Sequence, residues 1–275
     1  MEEYYFLLAI GFLWSIFASV QDFKTREISN WLNFSLIGIG LAYRAFYSVF
    51  FSDAGFFIYG LIGFGAFFLL GNLFYYGKVF AGGDAKLLMG FGVILPYSNF
   101  KELTFSGTVF VFCLLLAGGI WSLLYSFLIV KRDAGKFKRE FFIKIKEFKI
   151  GIIGIVVLSI IFAYIFRFWL FLLFIFIPVI FVYVKALEKC MIKLINYRDL
   201  REGDWLESDV KIKGKVIRKS VHGLSLKDIE FLQKAKKNVL IRDGIPFAIV
   251  FLIALIMVFF LAVLKLQILQ AFSLS

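Results

Sequence analysis

Long apolar runs separated by short polar loops make up most of this chain. Residues 4–20, 31–51 and 55–77 form the first three runs. Each has the length of a bilayer-spanning helix, which needs about 20 apolar residues. A fourth run starts at Ala85 and is broken at Pro96, a fifth covers 105–130, and the last covers 244–264. Residues 150–184 carry a single charge, Arg167. As one helix this stretch would be roughly 52 Å long, far beyond the ~30 Å hydrocarbon core. It therefore reads as two short spans that turn near Arg167. The pattern predicts an all-α membrane protein, a polytopic helical bundle of six to eight transmembrane helices. A small polar cytoplasmic module at 185–243 precedes the last helix. The expected organisation is a five-helix membrane core at 1–130, a basic cytoplasmic loop at 131–149 and a transmembrane hairpin at 150–184. The polar module and a last helix with its tail, 244–275, complete it.

Within the runs, Arg44 lies near the far end of the second, where it is expected to snorkel to the interface. The third run carries Gly60, Gly63, Gly65 and Gly71, and small residues at such spacings let helices approach closely. The uncharged part of the fourth run, residues 87–100, covers only about 21 Å as a helix. Its start is then either sunk below the membrane surface or met by a thinned bilayer.

Composition sharpens this picture. Hydrophobic residues are 61% of the chain, against about 45–50% in soluble domains. The net charge is +12, but the lysines and arginines cluster in loops on one side of the expected bundle, so the charge points to topology and not to nucleic acid. Lys24 with Arg26, the 78–86 loop, the 131–149 loop and the 185–243 module fall on that side, which the positive-inside rule makes cytoplasmic. The basic surplus of the polar module suits anionic lipid headgroups. Cys113 and Cys190 stand far apart and form no metal-ligand spacing. His222 is the single histidine, so a histidine zinc site or a serine triad cannot be assembled; His222, Asp204 and Asp228 read as surface or capping residues. The first run has no basic segment before it and no small-residue cleavage site after it, so it is expected to stay as an anchor.

The candidate chemistry lies in two short stretches. Asp22 follows the first run, in Gln21-Asp22-Phe23-Lys24-Thr25-Arg26-Glu27-Ile28-Ser29-Asn30. Asp84 opens the fourth, in Ala81-Gly82-Gly83-Asp84-Ala85-Lys86. A carboxylate at the edge of a membrane helix is a functional-site candidate by default. With this topology both aspartates fall at the cytoplasmic membrane edge. Two carboxyl groups held close share one proton, and such a pair supports general acid–base amide hydrolysis without a metal. Asp22 ends a helix and Asp84 begins one, so the two helix dipoles act on them differently. Gly82 and Gly83 would let the backbone pass close to a substrate or take positive φ, and Lys86 reads as an edge anchor.

These residues resemble the prepilin and preflagellin peptidases, the Gly-x-Gly-Asp membrane aspartyl proteases, in their archaeal branch. The likeness rests on Asp22-x-Lys24-x-Arg26-x-Ile28-x-Asn30 and on Gly82-Gly83-Asp84-Ala85-Lys86. Leu200-Arg201-Glu202-Gly203-Asp204-Trp205-Leu206 and Asp243-Gly244-Ile245-Pro246-Phe247 are similar to the soluble segment and last helix of that branch. The resemblance implies a cytoplasm-facing endopeptidase that removes the short basic leader of pilin-like or flagellin precursors. Asp22 and Asp84 would be the catalytic pair, supported by Gly82, Gly83, Lys86, Lys24 and Arg26, with no metal or other cofactor. Ala81 stands where the family has its first glycine, a strained substitution if that position needs φ > 0. The cysteine module that accompanies methyl transfer in the bacterial branch has no counterpart here, which implies a peptidase alone. Other readings of the same residues are a presenilin-like intramembrane protease, a proton-coupled transporter and a structural subunit of a pilus or flagellar assembly. Asp22 following Gln21 at a helix end argues against the first, and the lack of an internal repeat against the second.

Overall fold

A computed structural model describes residues 2–212, 215–220, 223–242 and 244–273. The protein is a polytopic helical membrane bundle with a small sheet towards its carboxyl end. Among the described residues, five helices are long and apolar enough to cross a bilayer: Glu3–Thr25, Ala54–Tyr76, Phe100–Arg132, Lys149–Phe166 and Trp169–Cys190. The chain divides into two compact units, Met1–Ser122 with Ile245–Ser275, and Leu123–Gly244.

The first unit contains α1 (Glu2–Thr25), α2 (Asn30–Phe50), α3 (Ala54–Tyr76), α4 (Gly82–Ile94), the start of α5 (Phe100–Arg132), and α10 (Ile249–Ser273). Its centre is α4, which packs against α3, α2 and α1. From Leu87 on this helix is apolar all round, as a helix surrounded by others must be: Leu87, Leu88, Phe91, Val93 and Ile94 are all fully buried. Small residues on the neighbours make room for it. A side chain at Gly40 of α2 would meet Val93 at 2.9 Å, and one at Gly71 of α3 would meet the Ala85 carbonyl at 2.9 Å. Gly60 and Gly63 are likewise buried in α3. Gly65, expected in the same role, has open space beside it, because it lies on a different face of the helix.

Arg44 corrects the expectation that it snorkels. Its side chain is fully buried and turned inwards to the carboxyl end of α4. Nε donates to the Val93 carbonyl at 2.8 Å, Nη2 to Leu95 at 2.8 Å and Nη1 to Phe56 at 2.9 Å. The guanidinium also lies 4.7 Å from the Phe56 ring and 4.6 Å from the Tyr97 ring. The reason is the length of α4, about 20 Å for 13 residues. The helix stops inside the protein, and its last carbonyls need donors where water is scarce. Arginine supplies a fork of them. Gly60 leaves the space through which the stem of Arg44 passes. Tyr97 adds a hydrogen bond from its hydroxyl to the Gly92 carbonyl.

The second unit holds the rest of α5, α6 (Ala134–Glu147), α7 (Lys149–Phe166), a 3-10 segment (Trp169–Ile175) and α8 (Phe176–Cys190). The stretch expected as a basic loop is thus largely a helix. Its apolar residues recur at helical spacing, and Phe137 packs edge-on against Tyr183 of α8 at 5.3 Å. The 150–184 run breaks at Arg167, which takes a left-handed conformation (φ 48, ψ 33). Strands absent from the all-helical expectation follow: β1 (Ile192–Ile195), β2 (Trp205–Leu206), β3 (Val210–Ile212), β4 (Lys215–Ile217) and β5 (Val239–Arg242). They are two to four residues long, too short to show an alternating pattern. β5 pairs antiparallel with both β1 and β2, and β3 with β4. With α9 (Leu226–Lys234) they enclose a small core around Leu206, Leu224, Leu232 and Ile241. Asp228 forms a capping box with Ser225 at the start of α9, and Asp204 accepts from the Arg201 amide at 2.8 Å in a turn. His222 and Asp243 lie outside the described residues. Glu207 ties α8 to the sheet through Lys189 and Arg242, each at 2.8 Å. Partial burial pushes its carboxyl up, but the hydrogen bonds and charges of Lys189 and Arg242 outweigh this and bring it down to about 2.

Two predictions follow from these contacts. Arg44→Met leaves several buried carbonyls without a donor, at about 1–3 kcal/mol each, and is expected to lower the melting temperature in detergent sharply. Gly60→Ala should do likewise by displacing the arginine. For Glu207 the folded carboxyl is more acidic than the unfolded one, so its stabilisation is present above about pH 4 and is lost as pH falls through about 2. Glu207→Gln should therefore speed amide exchange in β5 of the full chain at pH 7 and make little difference at pH 2.

Candidate active site

The site begins where α1 stops. Arg26 takes φ 59, and its amide still donates to the Asp22 carbonyl at 2.9 Å, the usual left-handed end of a helix. The chain then crosses to α2 in a short loop. Gln21 closes that loop by accepting from the Ser29 amide at 2.9 Å and the Ser29 hydroxyl at 3.1 Å. Trp14 of α1 donates to the Leu32 carbonyl at 3.1 Å and the Ser35 hydroxyl at 3.0 Å. Together these fix the start of α2 against the end of α1.

The loop and the first turn of α2 are stitched to α4 at three points. Ile28 lies against Gly83, so close that a side chain there would sit 3.1 Å from the Ile28 Cβ and 3.3 Å from its backbone nitrogen. Asn33, fully buried in α2, donates to the Gly83 carbonyl at 3.2 Å. Lys86 donates to the Asn30 side chain at 2.6 Å, so it joins the two motifs as well as standing at the helix edge. Gly83 therefore eases a close approach between two pieces of backbone. Gly82 has only an ordinary contact with Tyr75. Neither takes positive φ, and Ala81 is extended (φ −71, ψ 163). An alanine in the place of the motif's first glycine is unstrained here.

Both carboxyl groups are buried, Asp22 at 7% and Asp84 at 8% exposure, and they lie within electrostatic reach of each other. Asp84 sits in the first turn of α4, with the Ala81 amide in hydrogen-bonding range; this is the back-bond of a capping box, made without a capping side chain at Ala81. Asp22 has a partner far along the chain. Its Oδ2 accepts from the Ala248 amide at 2.9 Å, and the Phe247 amide is also in range. Asp22 thus stands at the amino end of α10 as well as the carboxyl end of α1, and the dipole of α1 alone does not describe it. The Arg26 guanidinium is within electrostatic reach of Asp22, and Lys24 remains exposed on the last turn of α1.

Sequence reasoning expected the last helix, entered through Pro246-Phe247, near the pair, but it missed Asn33, and the amides of Phe247 and Ala248, as parts of this arrangement. Asn33 is a polar residue inside an apolar run, a signal that was available. The other two act through backbone amides, which leave no trace in residue type.

Residues 9–130 match the type IV leader peptidase family. The matched segment holds both Asp22 and Asp84. The chain is also 34% identical over 100 residues to the preflagellin peptidase of Methanococcus maripaludis, covering 36% of this chain and 43% of that protein. It is 34% identical over 90 residues to the preflagellin peptidase of Methanocaldococcus jannaschii, covering 33% and 38%. A prepilin peptidase of Methanothermobacter thermautotrophicus is 34% identical over 102 residues, covering 37% and 26%. The chain thus spans about two fifths or less of the length of these curated relatives. No solved structure matches it.

The two glycines of the motif differ in what they require. Gly82→Ala is expected to be neutral or to stabilise α4 by less than about 1 kcal/mol. Gly83→Ala should melt lower than Gly82→Ala in the same detergent, because the Ile28 backbone must give way.

Proposed function

We propose that this protein is a membrane aspartic endopeptidase that removes the leader peptide of pilin-like or flagellin precursors. The observation that carries the reading is the pairing of Asp22 and Asp84. Two carboxyl groups from separate motifs are buried in one unit, within electrostatic reach, inside the segment that matches a leader peptidase family. The names of the relatives supply the substrate class.

The chemistry needs only the pair and a water. The pair holds one proton between its two carboxyl groups and titrates as a unit. The ionised carboxylate takes a proton from the attacking water, while the protonated carboxyl donates to the scissile carbonyl oxygen. A tetrahedral diol forms. The carboxyl that took the water's proton then gives it to the leaving nitrogen while the other carboxylate takes a proton from a diol hydroxyl; the C–N bond breaks, and the pair again holds one proton. The stitches from Ile28, Asn30 and Asn33 to Gly83 and Lys86 hold the two motifs in register through these steps, and orientation of this kind accounts for much of catalysis. By the positive-inside rule, the flanking Lys24, Arg26, Lys78 and Lys86 put the pair at the cytoplasmic face of the plasma membrane. The central place of α4 and the burial of both carboxyls support a site sunk below that face.

The test is cleavage of a tagged precursor with a basic leader and a hydrophobic helix, in detergent or nanodiscs. The intact protein is expected to release the leader. Asp22→Asn and Asp84→Asn should each reduce the rate at least about 100-fold while melting near the parent temperature. Equal cleavage by all three proteins would overturn the reading.

A further inference from the structure

The residues that lead into α10, 246–248, touch Asp22 and the residue before the Asp84 motif, although they lie far from either in sequence and outside the matched segment. Ala248 is fully buried, and its amide is the donor to Asp22. Phe247 packs on Phe80 at 5.2 Å between ring centres, next to Ala81, the residue that starts α4. The segment is clamped from α5. Trp121 donates to the Pro246 carbonyl at 2.7 Å, and a side chain at Gly118 would meet the Phe247 ring at 2.8 Å. The indole of Trp121 also meets Phe23 edge-on at 6.0 Å, beside Asp22. Pro246 has no amide hydrogen, so the donors available to Asp22 begin at Phe247. Below this point Val250, Phe251 and Ala254 are fully buried and lock the helix into the core.

We propose that residues 246–248 are a positioning element of the active site. The Ala248 amide sets the orientation of the Asp22 carboxylate, and Phe247 braces the loop that presents Asp84. Trp121 acts at one remove, holding the segment through the Pro246 carbonyl. A carboxylate fixed by backbone amides keeps one oxygen engaged and the other turned to its partner, the arrangement a proton-sharing pair requires. The inference rests on the peptidase reading for its catalytic consequence, but the contact itself is independent of that reading.

The test uses the full chain and Ala248→Pro, which deletes the donor at a position where a helix start tolerates proline. Cleavage is expected to show kcat lower by about tenfold or more with KM near the parent value, and a displaced pH–rate profile. Ala248→Gly keeps the amide, so its pH profile should be displaced less than that of Ala248→Pro. Thermal melts of Ala248→Pro are also compared in the Asp22 and Asp22→Asn backgrounds, where the melting loss should be smaller in the second. Parent kcat and pH profile in Ala248→Pro, or equal melting losses in both backgrounds, would overturn the proposal. Should that proline prevent folding, Trp121→Phe gives the same decision, since it keeps a ring and removes the donor to Pro246. A coupled melt with no cleavage by the parent sinks the peptidase reading and leaves the contact standing. Cleavage that is indifferent to all of these variants does the reverse.

Discussion

A helix of 13 residues cannot carry its backbone from one side of a bilayer to the other. Helix α4 is such a helix, and it lies at the centre of its unit. At its carboxyl end the unpaired carbonyls face an interior without water, where each unsatisfied group is costly. Arg44 meets that demand from α2 and reaches the Phe56 carbonyl of α3 with the same guanidinium. One cation therefore joins three helices. Its own burial is acceptable because its donors face carbonyls and its face lies over aromatic rings. The glycines of α2 and α3 are the matching half of this device, since they bring backbone close enough for the arginine and for α4 to fit.

The amino end of α4 depends on what happens at the carboxyl end. With the helix held lengthwise, its first turn is presented at a fixed depth, and Asp84 is presented with it. The α1–α2 loop then lies against Gly83 and Lys86, which brings Asp22 into the same region. The last helix supplies backbone amides to Asp22 from a third direction. Asp22 is thereby held by an element other than the helix that carries it, while Asp84 accepts from the Ala81 amide at the start of its own helix.

Much of this protein was legible in its sequence. The length and spacing of apolar runs specified a polytopic helical bundle, because the thickness of a bilayer sets how many apolar residues a span needs. The single charge in 150–184 marked the break at Arg167. The two aspartate motifs could be read as well, since carboxylates beside membrane helices are rare and conspicuous. Hydrophobicity and charge are properties of residue type, and these features follow from them directly.

What only the tertiary structure decided are the partners. Arg44 looks like an interface residue in sequence, because its position near the end of an apolar run says nothing about which way its side chain turns. The structure turns it inwards, where α4 ends. Ala248 is a plain apolar residue, yet its amide meets Asp22, since backbone donors are identical at every residue except proline and only the fold selects among them. Gly82 and Gly83 are indistinguishable by type, and packing against Ile28 makes one of them matter more. The short strands around β5 exist through pairing with distant segments, which no local alternation announces. Residue type and period set the elements; the meeting of distant backbone and side chains set the site.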